Sequence, residues 1–302
     1  MKFLLFSDFH HYPGVFKGGT FEHLELFQRR AEEENCDFII HGGDFCHGPS
    51  LVPEMVKAYN DFHIPSYHVL GNHDADKTPF EETVKAYNMP NDYYFFDVKG
   101  YRMVVCNPNF LKMDGKYLHY SMGNYYGHAE KRDHMPPEQL RWLEETLDSS
   151  PYPCILISHE SFEREADGVQ NYAEVRAIID TANRKRPHSV LMCINGHHHR
   201  DNLRILENVC YFEINSVVYD WVDQKHDLFP AEYNEAYSLM GNTVCYNDPL
   251  YAIVTLEGTN IRIEGTESTM FMGITREMTG NQPFDRMGRP VVPKVQSANI
   301  TL

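Results

Sequence analysis

The chain has 302 residues, 27 basic and 43 acidic, a formal charge of −16, with 42% hydrophobic and 23% charged side chains. That length and balance suit one large α/β domain or two small ones around a sizeable core, and exclude a disordered chain. They weigh against a nucleic-acid coat protein or an anionic membrane surface as partner, since both need surplus Lys and Arg.

The run Met1-Lys2-Phe3-Leu4-Leu5-Phe6 stops at Ser7-Asp8. It is too short for a signal-peptide core and lacks a small-residue cleavage site, so it predicts a buried first strand over 2–7. Residues 20–35 carry Phe21, Leu24, Phe27 and Ala31 at helical spacing. A strand over 37–41, a helix over 51–62, a strand over 66–70 and a helix over 79–88 opened by Pro79 follow. Strands over 92–98 and 101–106 meet at a Lys99-Gly100 turn. Residues 107–135 lack periodicity and read as a long polar loop. A helix opens at Pro136-Pro137-Glu138, then a strand over 154–157, a helix over 171–185 and a strand over 189–194. From about 203 the pattern is β, with runs at 209–217, 250–256 and 260–264.

After 266 the chain gains Gly and Pro and loses periodicity. The expected organisation is therefore a domain over 1–265 and an extended C-terminal arm over 266–302, packed on the domain or on a partner chain. The second case would make a homo-oligomer. No run of 18 apolar residues occurs, so no membrane span is expected. Seven cysteines without a C-x-x-C spacing read as reduced core thiols of a cytoplasmic protein.

The 17 histidines are what a plain acidic globule does not explain. Several fall where strands end. Strand one ends in Ser7-Asp8-Phe9-His10, strand two in Gly42-Gly43-Asp44, strand three in Gly71-Asn72-His73-Asp74. The strand at 154–157 ends in Ser158-His159, and that at 189–194 in Asn195-Gly196-His197-His198-His199. Sites in α/β sheets form beyond the carboxyl ends of strands, so these side chains are expected to converge. Imidazole nitrogen with carboxylate oxygen suits Zn, Fe or Mn. Asp8, His10, Asp44, Asn72, His159, His197 and His199 are too many for one tetrahedral ion and suit two ions sharing a carboxylate.

In this order the motifs resemble the calcineurin-like metallophosphoesterase superfamily, over residues 8–199. The resemblance implies a four-layer αββα sandwich. It implies one ion on Asp8, His10 and His199, a second on Asn72, His159 and His197, and Asp44 bridging them. It implies His73 as a catalytic group facing the scissile ester, with Asp74 orienting it. The activity implied is hydrolysis of a small phosphate mono- or diester by metal-bound hydroxide. A diester is favoured because the helix Gln139-Leu140-Arg141-Trp142-Leu143 is similar to that of cyclic-nucleotide-phosphodiesterase-like members. The alternatives are a DNA-processing exonuclease or endonuclease of the same superfamily and a catalytically inactive scaffold. The −16 charge disfavours the first, and the intact ligand series the second.

Fewer reasons attach to other positions. His47, Asn124 and His128 are candidate substrate contacts, and a tyrosine of the 107–135 loop, among Tyr117, Tyr125 and Tyr126, would stack a base or ring. His11 and His198 neighbour ligands but are expected to point away, and Glu160 is expected beside the metal shell. His41 and His68 lie inside strands and read as hydrogen-bonded core histidines. Arg286 and Arg289 are candidate phosphate contacts on the arm. The expected partner is a small phosphorylated molecule, with no nucleic-acid polymer and no membrane.

Overall fold

The computed structural model describes residues 1–163, 168–222, 228–275 and 291–302. Arg286 and Arg289 lie outside the described residues. In chain order the elements are β1 (Lys2–Phe6), α1 (Phe21–Glu33), β2 (Phe38–His41), α2 (Pro53–Asn60), β3 (Ser66–Tyr67), α3 (Phe80–Ala86), β4 (Tyr94–Val98), β5 (Tyr101–Val105), β6 (Phe110–Met113), β7 (Lys116–His119) and α4 (Pro137–Ser149). Then come β8 (Cys154–Ile157), α5 (Tyr172–Lys185), β9 (Val190–Asn195), β10 (Asn202–Leu206), β11 (Val209–Glu213), β12 (Tyr219–Trp221), α6 (Ala231–Ala236), β13 (Thr243–Cys245), β14 (Ala252–Glu257), β15 (Asn260–Gly265) and β16 (Ala298–Thr301).

One six-stranded sheet has the order β16-β15-β14-β1-β2-β3, the other β10-β11-β9-β8-β5-β4. Alternation along each strand sorts its side chains into two layers. On β5, Met103 and Val105 join the core between the sheets, while Val104 packs with Leu140 and Leu143 of α4 and Val175 and Ile179 of α5. Leu24 and Phe27 of α1 and Met55 and Tyr59 of α2 cover the first sheet. The result is the four-layer αββα sandwich. The parallel pairs β1–β2–β3 and β5–β8–β9–β11 point their carboxyl ends the same way within each sheet. All seven cysteines are free thiols, and all but Cys36 are buried.

Four expectations change. The third strand is two residues, because side chains take its later carbonyls: Tyr94 donates to His68 O at 2.8 Å and Asn109 to Leu70 O at 2.8 Å. The helix expected over 51–62 is a 3₁₀ turn over Pro49–Leu51 and then α2, restarted by Pro53. The 107–135 segment is not all loop. Its hairpin β6–β7 turns at Asp114 and Gly115, both at positive φ (50° and 76°), as a two-residue turn of that twist requires. Lastly, β16 pairs with β15, so the first sheet crosses the boundary expected at residue 265. The described residues 291–302 pack on the domain, and their last strand forms the edge of that sheet.

Candidate metal centre

The site forms where β1, β2, β8 and β9 end. Asp8, His10, Asp44, His197 and His199 all have positive φ, between 46° and 71°. That left-handed turn costs a non-glycine residue roughly 1–3 kcal/mol. Here it swings each side chain inward just past its strand. Cross-bonds hold the turns: Asp8 N–H donates to Gly43 O at 3.0 Å and His10 N–H to Asp44 O at 2.9 Å. The backbones also come close. A Cβ on Gly71 would overlap Asp44, and one on Gly196 would overlap Ser7 and Asp8.

Six of the seven predicted ligands come together in two groups, and the seventh, Asn72, is buried with Nδ2 on the Tyr125 hydroxyl. Asp8, His10 and His199 form one group, and Asp44, His159 and His197 another. Asp44 Oδ2 lies between them, 3.0 Å from His159 Nε2 and 3.6 Å from His10 Nε2. Asp8 Oδ1 is 3.3 Å from His199 Nε2. Asp8, His10 and His159 are fully buried.

Hydrogen bonds decide which atoms face inward. His159 Nδ1 donates to Gly42 O at 2.7 Å and His199 Nδ1 to Tyr219 O at 2.9 Å. A carbonyl only accepts, so in the neutral rings both Nε2 atoms carry lone pairs. The His199 lone pair faces His10 Nε2 at 3.1 Å, and that of His159 faces the Asp44 carboxylate. Asn72 Oδ1 and His159 Nε2 are buried without a hydrogen-bond donor among the described residues. Acceptors this close repel unless a cation lies between them. The donor set therefore fits two ions, with nitrogen and oxygen ligands of the Zn, Fe and Mn class.

The electrostatics carry the same demand. Burial and the neighbouring imidazoles of His199, His47 and His73 push His10 well down. Burial also opposes charge on His159, yet the carboxylates of Asp44 and Asp8 hold its imidazole well above the usual range. Against burial, His159 and His73 hold Asp44 down at about 2. In the ion-free chain a proton on His159 thus supplies the positive charge that Asp8 and Asp44 call for. Glu160, beside it, is fully buried, and burial pushes it up to about 8.

His73 is the open member of the group, its side chain 19% exposed. The residue orienting it is Asp76, not Asp74. His73 Nδ1 lies 2.8 Å from Asp76 Oδ2. Asp74 is instead taken up by Gly71 N–H, Asp44 N–H, Cys46 N–H and the Tyr87 hydroxyl, at 2.6–3.1 Å. The reason is geometric. Residues 73–75 form a 3₁₀ turn, in which positions i and i+3 lie over one another. That spacing in Asn72-His73-Asp74-Ala75-Asp76 is the sequence signal for Asp76.

Of the candidate substrate contacts, His47 is at the site but committed. Its Nε2 meets His10 Nδ1 at 3.0 Å and its Nδ1 meets Asp76 Oδ2 at 3.1 Å, leaving no nitrogen for a substrate. Asn124 closes its own turn, accepting from Ser121 N–H and donating to His119 O. His128 follows in the next turn, its N–H on Tyr125 O. Tyr125 and Tyr126 do reach the site, through Asp76. His11 turns away to Gly19 O, and His198 to Glu213. His41 and His68 sit in the core, hydrogen-bonded to one another.

A family model described as calcineurin-like phosphoesterase matches residues 1–201. Among solved structures, a dimetal phosphatase from Danio rerio aligns with a TM-score of 0.60 at 12% identity, covering 89% of this chain and 98% of that one. GAP50, the anchor in the inner membrane complex of Plasmodium, aligns with a TM-score of 0.50 at 13% identity, covering 94% and 95%. At such identities the likeness is one of fold. No protein of curated function matches the sequence.

Proposed function

The chain belongs to the calcineurin-like phosphoesterase family, and from that premise we propose that it hydrolyses a small phosphodiester at a two-metal centre. The observation carrying this reading is the position of Asp44 between two groups of inward-facing lone pairs. Asp8, His10 and His199 would hold one ion, Asn72, His159 and His197 the other, and Asp44 both. Two such ions, when bound, supply charge neutralisation for the phosphoryl oxygens and an acidified water as nucleophile.

The chain's own residues do the rest. Gly42 O and Tyr219 O fix the His159 and His199 rings so that Nε2 would be offered to the ions. His73, on the open side, holds a proton at Nε2 for the leaving oxygen while Asp76 stabilises the ring. The preference for a diester is supported by the likeness of Gln139–Leu143 to the corresponding helix of cyclic-nucleotide-phosphodiesterase-like members. The −16 charge supports a small substrate rather than a long polyanion, because the ions concentrate positive charge at the site alone. A scaffold reading would call for lost ligands, and all seven are present.

The test is turnover by Mn-loaded protein of bis-p-nitrophenyl phosphate, p-nitrophenyl phosphate, cyclic nucleotides and dinucleotides, with Asp44→Asn as control. Cleavage of diesters over monoesters by the wild type alone is the expected result. No cleavage by protein carrying two ions would overturn the reading.

A further inference from the structure

We propose that Asp76 is the positioning residue of this centre: one carboxylate that sets the hydrogen-bond polarity of a ligand on each metal subsite and of His73 together. The proposal rests on the two-metal reading above. Asp76 is buried, 5% exposed. Its Oδ2 meets His73 Nδ1 at 2.8 Å, His47 Nδ1 at 3.1 Å and the Tyr126 hydroxyl at 3.1 Å, and its Oδ1 meets the Tyr125 hydroxyl at 2.7 Å. An ionised carboxylate only accepts, so all four groups must donate to it.

Three consequences run outward from that constraint. His47 carries its proton on Nδ1, so its Nε2 is bare and accepts from His10 Nδ1 at 3.0 Å. His10 is then protonated on Nδ1, and its Nε2 lone pair is free beside His199 and Asp8. Tyr125 gives its proton to Asp76, so its oxygen must accept, and Asn72 Nδ2 donates to it at 3.1 Å. That fixes the amide and leaves Asn72 Oδ1 as the bare, buried acceptor of the second subsite. His73, donating through Nδ1, presents Nε2 outward. Without the Asp76 charge each of these choices is free to reverse, and reversal at His10 or Asn72 places an N–H where a ligand lone pair is needed.

The same logic excludes a third ion at His47, His73 and Asp76, although their ligand atoms all lie within 4.8 Å of one another. If His47 Nδ1 bound a cation, its proton would sit on Nε2. His10 Nδ1 would then be bare and its proton would move to Nε2, blocking the first subsite. The centre therefore takes two ions.

The experiment compares wild type, Asp76→Asn and Tyr125→Phe. Bound Mn is counted by mass spectrometry across a metal titration, thermal unfolding confirms folding, and kcat is measured on diesters with a good (p-nitrophenol) and a poor (alkyl) leaving group. Wild type is expected to bind two ions. Asp76→Asn should weaken Mn binding by about 10–100-fold. At saturating Mn it should cut kcat for the poor leaving group by about 10²-fold or more, and far less for p-nitrophenol. Tyr125→Phe keeps the His73 and His47 bonds, so it should weaken only one of the two ions and leave the leaving-group ratio as in wild type. Unchanged Mn affinity in both variants, equal kcat losses on both esters, or three ions in wild type would overturn the proposal. Wild type that binds two ions but cleaves no ester would instead sink the hydrolase reading, while the Mn titrations would still judge Asp76.

Discussion

Two groups of buried imidazoles lie near one another, around His41 and around Asp44, and they are wired oppositely. In the core pair, Gly43 N–H donates to His41 Nδ1 at 3.1 Å. His41 Nε2 meets His68 Nδ1 at 2.7 Å, and His68 Nε2 meets Asn60 Oδ1 at 2.8 Å. The protons run one way along that chain, every nitrogen is used, and burial pushes His41 down to about 3 and His68 well below its ordinary value. In the metal centre the outer nitrogens are equally satisfied, by Gly42 O, Tyr219 O and His47. In the neutral rings the inner ones are bare and face carboxylates and each other. Buried histidine by itself therefore signals nothing. A bare inward lone pair, held there by a bond on the ring's other nitrogen, is what marks a ligand.

The contrast can be broken or sharpened by substitution. Asp44→Asn removes the charge shared by both subsites. It should abolish measurable hydrolysis and lower Mn content while the metal-free protein still unfolds cooperatively, as read by mass spectrometry and circular dichroism. His73→Gln should leave Mn content at two and cost about 10²–10⁴ in kcat, the usual range for a lost proton donor. An ester with p-nitrophenol as leaving group should lose least.

His41→Leu works on the other group. It strands the Gly43 N–H and half of the His68 bonding, so about 1–3 kcal/mol of stability should go in urea unfolding. Mn stoichiometry and kcat of the folded protein should stay as in wild type. If that variant lost its ions selectively, the division between the two groups would fail.

The smallest effect is on pH dependence. His41 has a folded pKa of about 3, below the roughly 6.5 of the unfolded chain. Its neutral form stabilises the fold fully above about 6.5, and that contribution is lost as pH falls toward 3. Between pH 6.5 and 5.5 one such group accounts for about 1 kcal/mol. Urea midpoints of wild type should fall more over that interval than those of His41→Leu, and parallel slopes would remove His41 from the account.

Much of the centre was legible in the chain. The strand-end motifs carry the candidate ligands in order, because a parallel α/β sheet brings successive strand ends to one edge whatever the loops do. Residues whose role depends on a partner far along the chain were not. His47 reads as a substrate contact until His10 and Asp76 are seen to occupy both its nitrogens. The hairpin at 110–119 was hidden because β7 alternates between exposed and half-buried positions and looks like polar loop. β16 was hidden because four residues carry no pattern until β15 pairs with them.

The sequence by itself determined which atoms can bind metal, since donor type and strand-end position are local properties. Only the tertiary structure decided which way those atoms point. Five of the seven candidate ligands sit at positive φ, a conformation their sequence does not demand and cross-strand bonds impose. It also decided that Asp76 rather than Asp74 faces His73. Carboxylates two residues apart are equivalent on paper, and the 3₁₀ turn, with four donors already on Asp74, leaves only one of them free to turn outward.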